Sequence, residues 1–351
     1  MVNRLLHLHS PFRIFFISGL LTLAALFGAY AWLGPAGVLT AVILIGVEVM
    51  FSFENAIINA KVLSGLSRFW RTMFLTVGIM IAIFGMRIVF PIVVVALTSG
   101  LNWGAVINMA LFDPRQYAHA LEKSHIAIAA FGGMFLTMLF LHFFFSTRRK
   151  YLWIKFIEGP LQDVSRPWSY IVLAVAVLLT ISFLPGNPEP FKTAEAGLAG
   201  MLTYVIIHGI IWLLGKRQRR SGSSRRLKTG LAGLAGFLYL EILDASFSFD
   251  SVIGAFAITN SVPMIALGLG IGAVWVRSLT VFMVRRRTLN AYRYIEHGAH
   301  YTVGILAAVM LGGIFVDVPQ YIAGGGILLI SASVMASLIA AAQPRAAARA
   351  G

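Results

Sequence analysis

Two closely similar acidic motifs lie far apart in this chain, each within otherwise apolar sequence. The first is Glu48–Asn55, with the sequence EVMFSFEN, and the second is Asp244–Ser251, with the sequence DASFSFDS. A carboxylate in a hydrocarbon environment is costly unless it is protonated, hydrated or paired with a cation. The duplicated motif therefore predicts a cation-binding site to which each copy contributes.

Helical spacing places the oxygen-bearing side chains of each motif on one stripe. At about 100° per residue, the members of the first stripe lie within about 40° of Glu48. Two facing stripes would form a pocket of carboxylate, amide and hydroxyl oxygens, which suit Mn²⁺, Ca²⁺ or Mg²⁺. The predicted metal ligands on the stripes are Glu48, Ser52, Asn55, Glu241, Asp244, Ser248 and Ser251, and Asn59 extends the first stripe.

Two further acids, Glu54 and Asp250, lie off the stripes at about 240° if the helices are regular. Either they face a different cavity, or the Phe-Ser-Phe segment is unwound so that both carboxylates point inward, as in the broken helices of transporters. We include both among the predicted metal ligands. The alternative is that the motif acids are protonated or neutralised by arginines and serve only helix packing.

An arginine follows each motif inside the next apolar segment. The stretch Gly78–Arg87 resembles Gly268–Arg277, and both are rich in small residues. The two arginines have two alternative roles. They are counter-ions that hold the acidic site together and are displaced by metal or proton, which would make them gating residues, or they reach toward lipid headgroups.

The composition predicts an all-α polytopic membrane protein. Hydrophobic residues make up 59% of the 351 residues and charged residues 12%, and the mean hydropathy is +0.85. A spanning helix needs about 20 apolar residues, so the chain has room for about ten. The predicted spans are 14–34, 37–63, 72–98, 126–146, 168–185, 197–215, 230–259, 263–284, 301–316 and 321–341.

The distribution of basic residues predicts the orientation of these spans. Most of the 28 Lys and Arg residues fall in alternate loops if both termini are cytoplasmic. The motif spans 37–63 and 230–259 then run in opposite directions, as in the inverted-topology repeats of secondary transporters. We predict an N-terminal half, 1–215, and a C-terminal half, 229–351, joined by a basic cytoplasmic linker, 216–228, that touches lipid headgroups.

Other residue patterns exclude some classes of function. Because the basic residues follow the topology, no nucleic-acid partner is predicted. No Cys is present for a thiolate metal site, and no nucleophile–base pair indicates an enzyme. The Glu296–His300 stretch has a spacing like that of metal ligands, so His297 and His300 are either residues of a metal-entry site or interfacial hydrogen-bonding groups.

The paired motifs resemble those of the TerC family of integral membrane proteins, in the wider LysE-type transporter superfamily, and within it a longer TerC-like branch of uncharacterised function. The resemblance covers spans 2–4 and 7–9, and position 54 is Glu where Asp is usual. The residues that match the family pattern are Glu48, Glu54, Asn55, Asp244, Asp250 and Ser251, with Arg87 and Arg277 as the helix-ending arginines. Members of that family are associated with Mn²⁺ export and with tellurium-resistance gene clusters. The resemblance therefore implies metal-ion efflux.

We therefore expect a secondary transporter of the bacterial inner membrane that exports a divalent cation, with Mn²⁺ as the first candidate. The cation is transported rather than permanently bound, no other cofactor is expected, and proton coupling is a candidate because carboxylates that release metal can bind protons. The alternative is a non-transporting scaffold of a tellurium-resistance or envelope-stress complex, which recruits cytoplasmic tellurium-resistance proteins through basic loops.

Overall fold

A computed structural model of the chain describes residues 11–145, 151–163, 166, 168–220, 227–256, 258–259, 261–286, 288–316, 318 and 325–347. These residues form α-helices and one π-helical segment, and no strand occurs among them. The α-helices are α1 Pro11–Phe51, α2 Phe53–Ser64, α3 Arg68–Leu75, α4 Val77–Met80, α5 Phe90–Ser99, α6 Trp103–Phe112, α7 Pro114–Lys123, α8 His125–Phe145, α9 Lys155–Asp163, α10 Ser169–Phe183, α11 Pro190–Arg220, α12 Gly230–Phe256, α13 Val262–Arg286, α14 Thr288–Ala291, α15 Ile295–Gly312 and α16 Gly326–Ala347. The π-helical segment, Ile81–Val89, joins α4 to α5.

The helices are those of an all-α, multi-pass membrane protein. Six helical stretches in the described residues are long and apolar enough to cross a membrane. They are Ile14–Phe51, Arg68–Leu97, His125–Phe145, Pro190–Leu214, Gly230–Ser248 and Val262–Arg286. Three shorter apolar helices are Trp103–Phe112, Ser169–Phe183 and Gly326–Ala341. The finer prediction, ten spans in two inverted repeats, stays a prediction.

Helix α1 is a tight helical hairpin. Gly34 has a φ of 64°, in the left-handed region that favours glycine, and Pro35 follows it. A Cβ atom on Gly37 would lie 2.5 Å from the Ala29 carbonyl oxygen and 2.7 Å from the Leu33 Cβ. Residues eight apart on a straight helix are separated by about 12 Å along the axis. The arms 11–33 and 35–51 therefore fold back on each other, at the place where the sequence predicts the first two spans to meet.

The helices form two compact units. Unit 1 contains Met1–Ser124 and Ile211–Thr288, and unit 2 contains His125–Ile210 and Leu289–Gly351. Each unit takes residues from both sides of the predicted linker, of which residues 221–226 lie outside the described part of the chain. The predicted division into halves concerns sequence repeats and stays a prediction.

In unit 1 the two arms of α1 pack along α13 in opposite directions. The Ser18 hydroxyl lies 2.7 Å from that of Ser278, and the Trp275 indole N–H donates to Thr22 at 2.9 Å. These two contacts show that the first arm is antiparallel to α13. The second arm is parallel to α13, because Leu44 contacts Gly268 and Glu48 contacts Gly272.

The helices that carry the two motifs are antiparallel in unit 1. Asn55 on α2 contacts Asp244 on α12, whereas Leu66, eleven residues further along the chain, contacts Gly236. A backbone pair closes this end, with Ser67 N–H donating to the Lys228 carbonyl at 3.0 Å. The two motifs therefore face each other with opposite chain directions.

In unit 2, α15 packs antiparallel to α8 and to α16. Against α8, Gly133 contacts Leu311 and Gly304 contacts Phe140. Against α16, the Ser337 hydroxyl accepts a hydrogen bond from the Tyr294 N–H at 2.9 Å. Helix α9 lies in the connection between α8 and α10.

Candidate functional site

The first motif acid, Glu48, lies in a buried ion pair in unit 1. It is carried by the second arm of α1, and its Oε1 atom accepts hydrogen bonds from Arg87 Nη2 at 2.5 Å and from the Ser52 hydroxyl at 2.9 Å. Arg87 comes from the π-helical segment, and its Nη1 also donates to the Ala82 carbonyl at 2.8 Å. Both charged side chains are almost completely buried.

The second motif acid, Asp244, connects the two motifs. Its Oδ1 atom accepts a hydrogen bond from the Asn55 amide at 2.9 Å. Its Oδ2 atom lies 3.3 Å from Arg277 Nη2 and 3.7 Å from Arg87 Nη1. Asp244 therefore contacts an amide of the first motif and both of the arginines that follow the motifs.

The other arginine, Arg277, is held by several groups. Its two terminal nitrogens pair with the two oxygens of Glu241, at 3.2 and 3.0 Å. Nη1 also donates to the Phe74 carbonyl at 3.0 Å, and the guanidinium lies over the Phe74 ring at 4.2 Å. Such a two-pronged pair fixes both the charge and the orientation of the guanidinium.

Both arginines are thus buried and ion-paired, which is how counter-ions are placed. Their displacement by a metal ion or proton stays a prediction. The five charged groups of the network, which we call the acidic network, are Glu48, Glu241, Asp244, Arg87 and Arg277. When all five are ionised, three negative charges face two positive ones, so the acidic network favours one further positive charge.

Four buried oxygen atoms of the predicted stripes accept no hydrogen bond from any described residue. They are Glu48 Oε2, Asn55 Oδ1, Asn59 Oδ1 and Ser248 Oγ. A buried polar atom without a partner costs about 1–3 kcal/mol, so such atoms call for an explanation. Oxygens of these types are the ligands that hard cations prefer.

The two motif helices differ in regularity at the Phe-Ser-Phe segment. In the first copy, α1 ends at Phe51 and α2 begins at Phe53, with Ser52 at φ −107° and ψ 14°. In the second copy, α12 runs without interruption through Ser248. The break is local, because Ala56 N–H still donates to the Ser52 carbonyl at 3.2 Å.

The remaining predicted ligands have different positions. Glu54 is buried on α2 but makes no ion pair with another described residue. Ser251 is buried and lies beside the Glu48 carboxyl. The side chain of Asp250 lies outside the described residues. The structure therefore connects six of the predicted ligands through the two arginines and direct contacts: Glu48, Ser52, Asn55, Glu241, Asp244 and Ser251. Glu54 forms no ion pair with either arginine.

The carboxylates of the acidic network are separated by guanidinium groups. Among the described residues, no three His, Cys, Asp or Glu side chains are grouped so that they could hold a metal ion. In this arrangement Arg87 and Arg277 supply the positive charge beside the carboxylates.

Two glycines allow the acidic network to be so compact. A Cβ atom on Gly78 would overlap Arg277 Nη1 and lie 2.7 Å from Glu241 Oε1. A Cβ atom on Gly272 would lie 2.5 Å from the Cβ of Glu48. The small residues that the sequence shows after each motif thus leave room for the charged side chains.

Several contributors to the site have no signal in the sequence. The carbonyl groups of Phe74 and Ala82 accept from the arginines, and nothing in their side chains marks them. The helix is interrupted at Thr76, and the π-helical segment that follows it carries Arg87. Such segments are rare and recur at functional sites.

The fold and the acidic network define the class of protein: a polytopic membrane protein with an ion-pair network buried among its helices. The chain belongs to the family described as "Protein of unknown function (DUF475)", which matches residues 53–343. The match begins after Glu48 and Ser52 and includes the whole second motif. No curated protein and no solved structure matches the chain. The resemblance to the TerC family stays a prediction.

Proposed function

We propose that this protein is a secondary transporter that exports a divalent metal cation, with Mn²⁺ as the first candidate. The cation would bind the oxygens that surround Asp244, and the two motif helices would belong to two inverted-topology repeats. The proposal places the protein in the bacterial inner membrane with both termini on the cytoplasmic side. Protons are the candidate coupling ion.

The observation that carries the proposal is the set of partnerless buried oxygens around the acidic network. Glu48 Oε2 and Asn55 Oδ1 come from the first motif, and Ser248 Oγ comes from the second. A packing role would favour fully satisfied polar groups, because each buried acceptor without a donor lowers stability. A cation that binds these oxygens offsets that cost and supplies the positive charge that the acidic network favours.

The antiparallel motif helices support the proposed mechanism. In inverted-repeat transporters the substrate site lies between two halves with opposite orientation, and rocking of the halves exposes it to each side in turn. Asp244 accepts from Asn55 and pairs with Arg277, so a movement between the two motif helices would change its partners. In the arrangement described, the arginines would stand in for the substrate between transport events.

Cellular metal content tests this proposal. Cells that lack the protein should accumulate more Mn²⁺ under Mn²⁺ stress than cells that express it, because export is lost. Expression of Asp244→Asn should fail to restore the lower content. Measurement of total cell Mn²⁺ by mass spectrometry gives the comparison, and equal contents in cells with and without the wild-type protein would contradict export.

A matched variant separates transport from the scaffold alternative. Replacement of the basic residues in 216–228 by neutral ones leaves the acidic network intact. A transporter should then keep its effect on Mn²⁺ content, and Asp244→Asn should abolish it. A scaffold that recruits partners through basic loops should give the opposite pattern, with tellurite resistance as its readout.

A further inference from the structure

Unit 2 contains a buried carboxylate that belongs to neither acidic motif. Glu158 on α9 is 1% exposed. It accepts backbone hydrogen bonds from Trp153 N–H at 3.0 Å and Ile154 N–H at 3.3 Å, and the Tyr301 hydroxyl donates to it at 3.2 Å. These donors satisfy the oxygens but carry no full positive charge.

The counter-charge of Glu158 depends on a histidine. His297 Nε2 lies 3.5 Å from Glu158 Oε2, and no Lys or Arg among the described residues pairs with this carboxylate. An imidazole is positive only when it carries a second proton. An unperturbed imidazole gains or loses this proton between about pH 5 and 8. The charge of the pair therefore depends on whether this imidazole is protonated.

The neighbours of His297 determine where its protons sit. Its Nε2 atom lies near two acceptors, the Glu158 carboxylate and the Tyr151 carbonyl, which is 3.2 Å away. Because both neighbours accept, Nε2 must carry a hydrogen in either charge state. The second proton then binds at Nδ1 and makes the buried ring an imidazolium beside a carboxylate.

Other titratable and charged groups lie near this pair and have contacts of their own. His300 on α15 stacks on Phe143 of α8, and its Nδ1 lies 2.7 Å from the Glu296 carbonyl oxygen. The Arg293 guanidinium lies over the Tyr151 ring at 4.1 Å. From α8 it is the Phe143 ring that faces His297, at 5.5 Å, and α16 contributes the neutral Ser337 hydroxyl to the Tyr294 N–H.

We propose that Glu158 and His297 form a proton-binding site in unit 2 and that the bound proton fastens residues 151–163 to α15. In the docked state the imidazolium has a carboxylate partner, and in an undocked state both groups are in water without one. The docked state therefore binds the proton more tightly. By linkage, docking strengthens as pH falls through the imidazole range and weakens as pH rises.

This site goes beyond the proposed transport function and does not depend on it, since its ligand is the proton and its effect is local.

Hydrogen exchange of the full-length protein in detergent measures how strongly residues 151–163 are docked. After correction for intrinsic exchange rates, the protection of amides in 151–163 should fall by about tenfold from pH 5.5 to pH 8, because the docked state loses its bound proton.

Variants identify the residue that binds the proton. His297→Gln keeps an N–H donor for Glu158 but cannot gain a proton, so protection of 151–163 should no longer depend on pH. Glu158→Gln should remove the gain in protection at low pH, because the buried imidazolium then has no carboxylate partner. The matched control His300→Gln, on the same helix, should retain the tenfold change.

Three results would overturn the proposal. Protection of 151–163 in the wild-type protein could be the same at both pH values, which needs no variant to observe. His297→Gln could keep the full pH dependence. His300→Gln could abolish it, which would assign the proton to a different imidazole.

Discussion

Asp244→Asn is expected to lower the free energy of unfolding by about 3–5 kcal/mol, because it removes one partner from a buried ion-pair network. The amide oxygen can still accept from Asn55, but the new NH₂ group would face Arg277, which is also a donor. The two guanidiniums would then share a smaller negative charge in a buried site. Unfolding of the purified protein in mild detergent measures the loss.

A control with the same chemical change isolates the effect of burial. Asp163→Asn at the end of α9 alters an exposed carboxylate and should change the unfolding free energy by less than about 0.5 kcal/mol. If Asp244→Asn were as stable as the wild-type protein, the pairing of Asp244 with the arginines would contribute nothing to the free energy of unfolding.

Arg87→Gln should lower the free energy of unfolding to a similar degree. Adding Glu48→Gln should recover part of this loss. Without this guanidinium, Glu48 loses the donor at 2.5 Å and remains buried beside neutral hydroxyl groups. Adding Glu48→Gln removes the uncompensated charge. The double variant should therefore be more stable than the sum of the two single losses, by about 0.5–3 kcal/mol of coupling.

The other arginine supplies the comparison. Arg277 pairs with Glu241 and Asp244 rather than with Glu48. The losses in the free energy of unfolding should therefore be closer to additive for Arg277→Gln with Glu48→Gln than for Arg87→Gln with Glu48→Gln. Equal coupling energies in both pairs would mean that stability depends on the total charge of the acidic network and not on the contacts described.

The helices and the stripes follow from the sequence because their signals are local. Apolar runs indicate long helices, and the predicted boundary between the spans 14–34 and 37–63 lies at the turn of the first hairpin. The oxygen-bearing residues of each motif share a helix face because their spacing is three or four residues. These properties depend only on neighbours along the chain.

The partners within the site could not be predicted, because they depend on packing between distant segments. The sequence places an arginine after each motif but does not indicate that Arg87 contacts the acids of both motifs while Arg277 pairs with Glu241. The π-helical segment at Ile81–Val89 has no pattern of its own, yet it carries Arg87. Likewise, Glu158 lies in a connection and gives no sign that its partner is His297.

Calorimetric titration of the purified protein with Mn²⁺ tests most directly whether the two motifs form one cation site. The comparison includes the wild-type protein, Glu48→Gln, Asp244→Asn and the double variant, at a temperature at which each is folded. Each single substitution should abolish binding and the double variant should be no worse than either, because residues that act as one unit are not additive. Ser248→Ala, which removes only a neutral hydroxyl, should weaken binding modestly. Two independent losses that add in the double variant would show two separate sites and contradict a shared one.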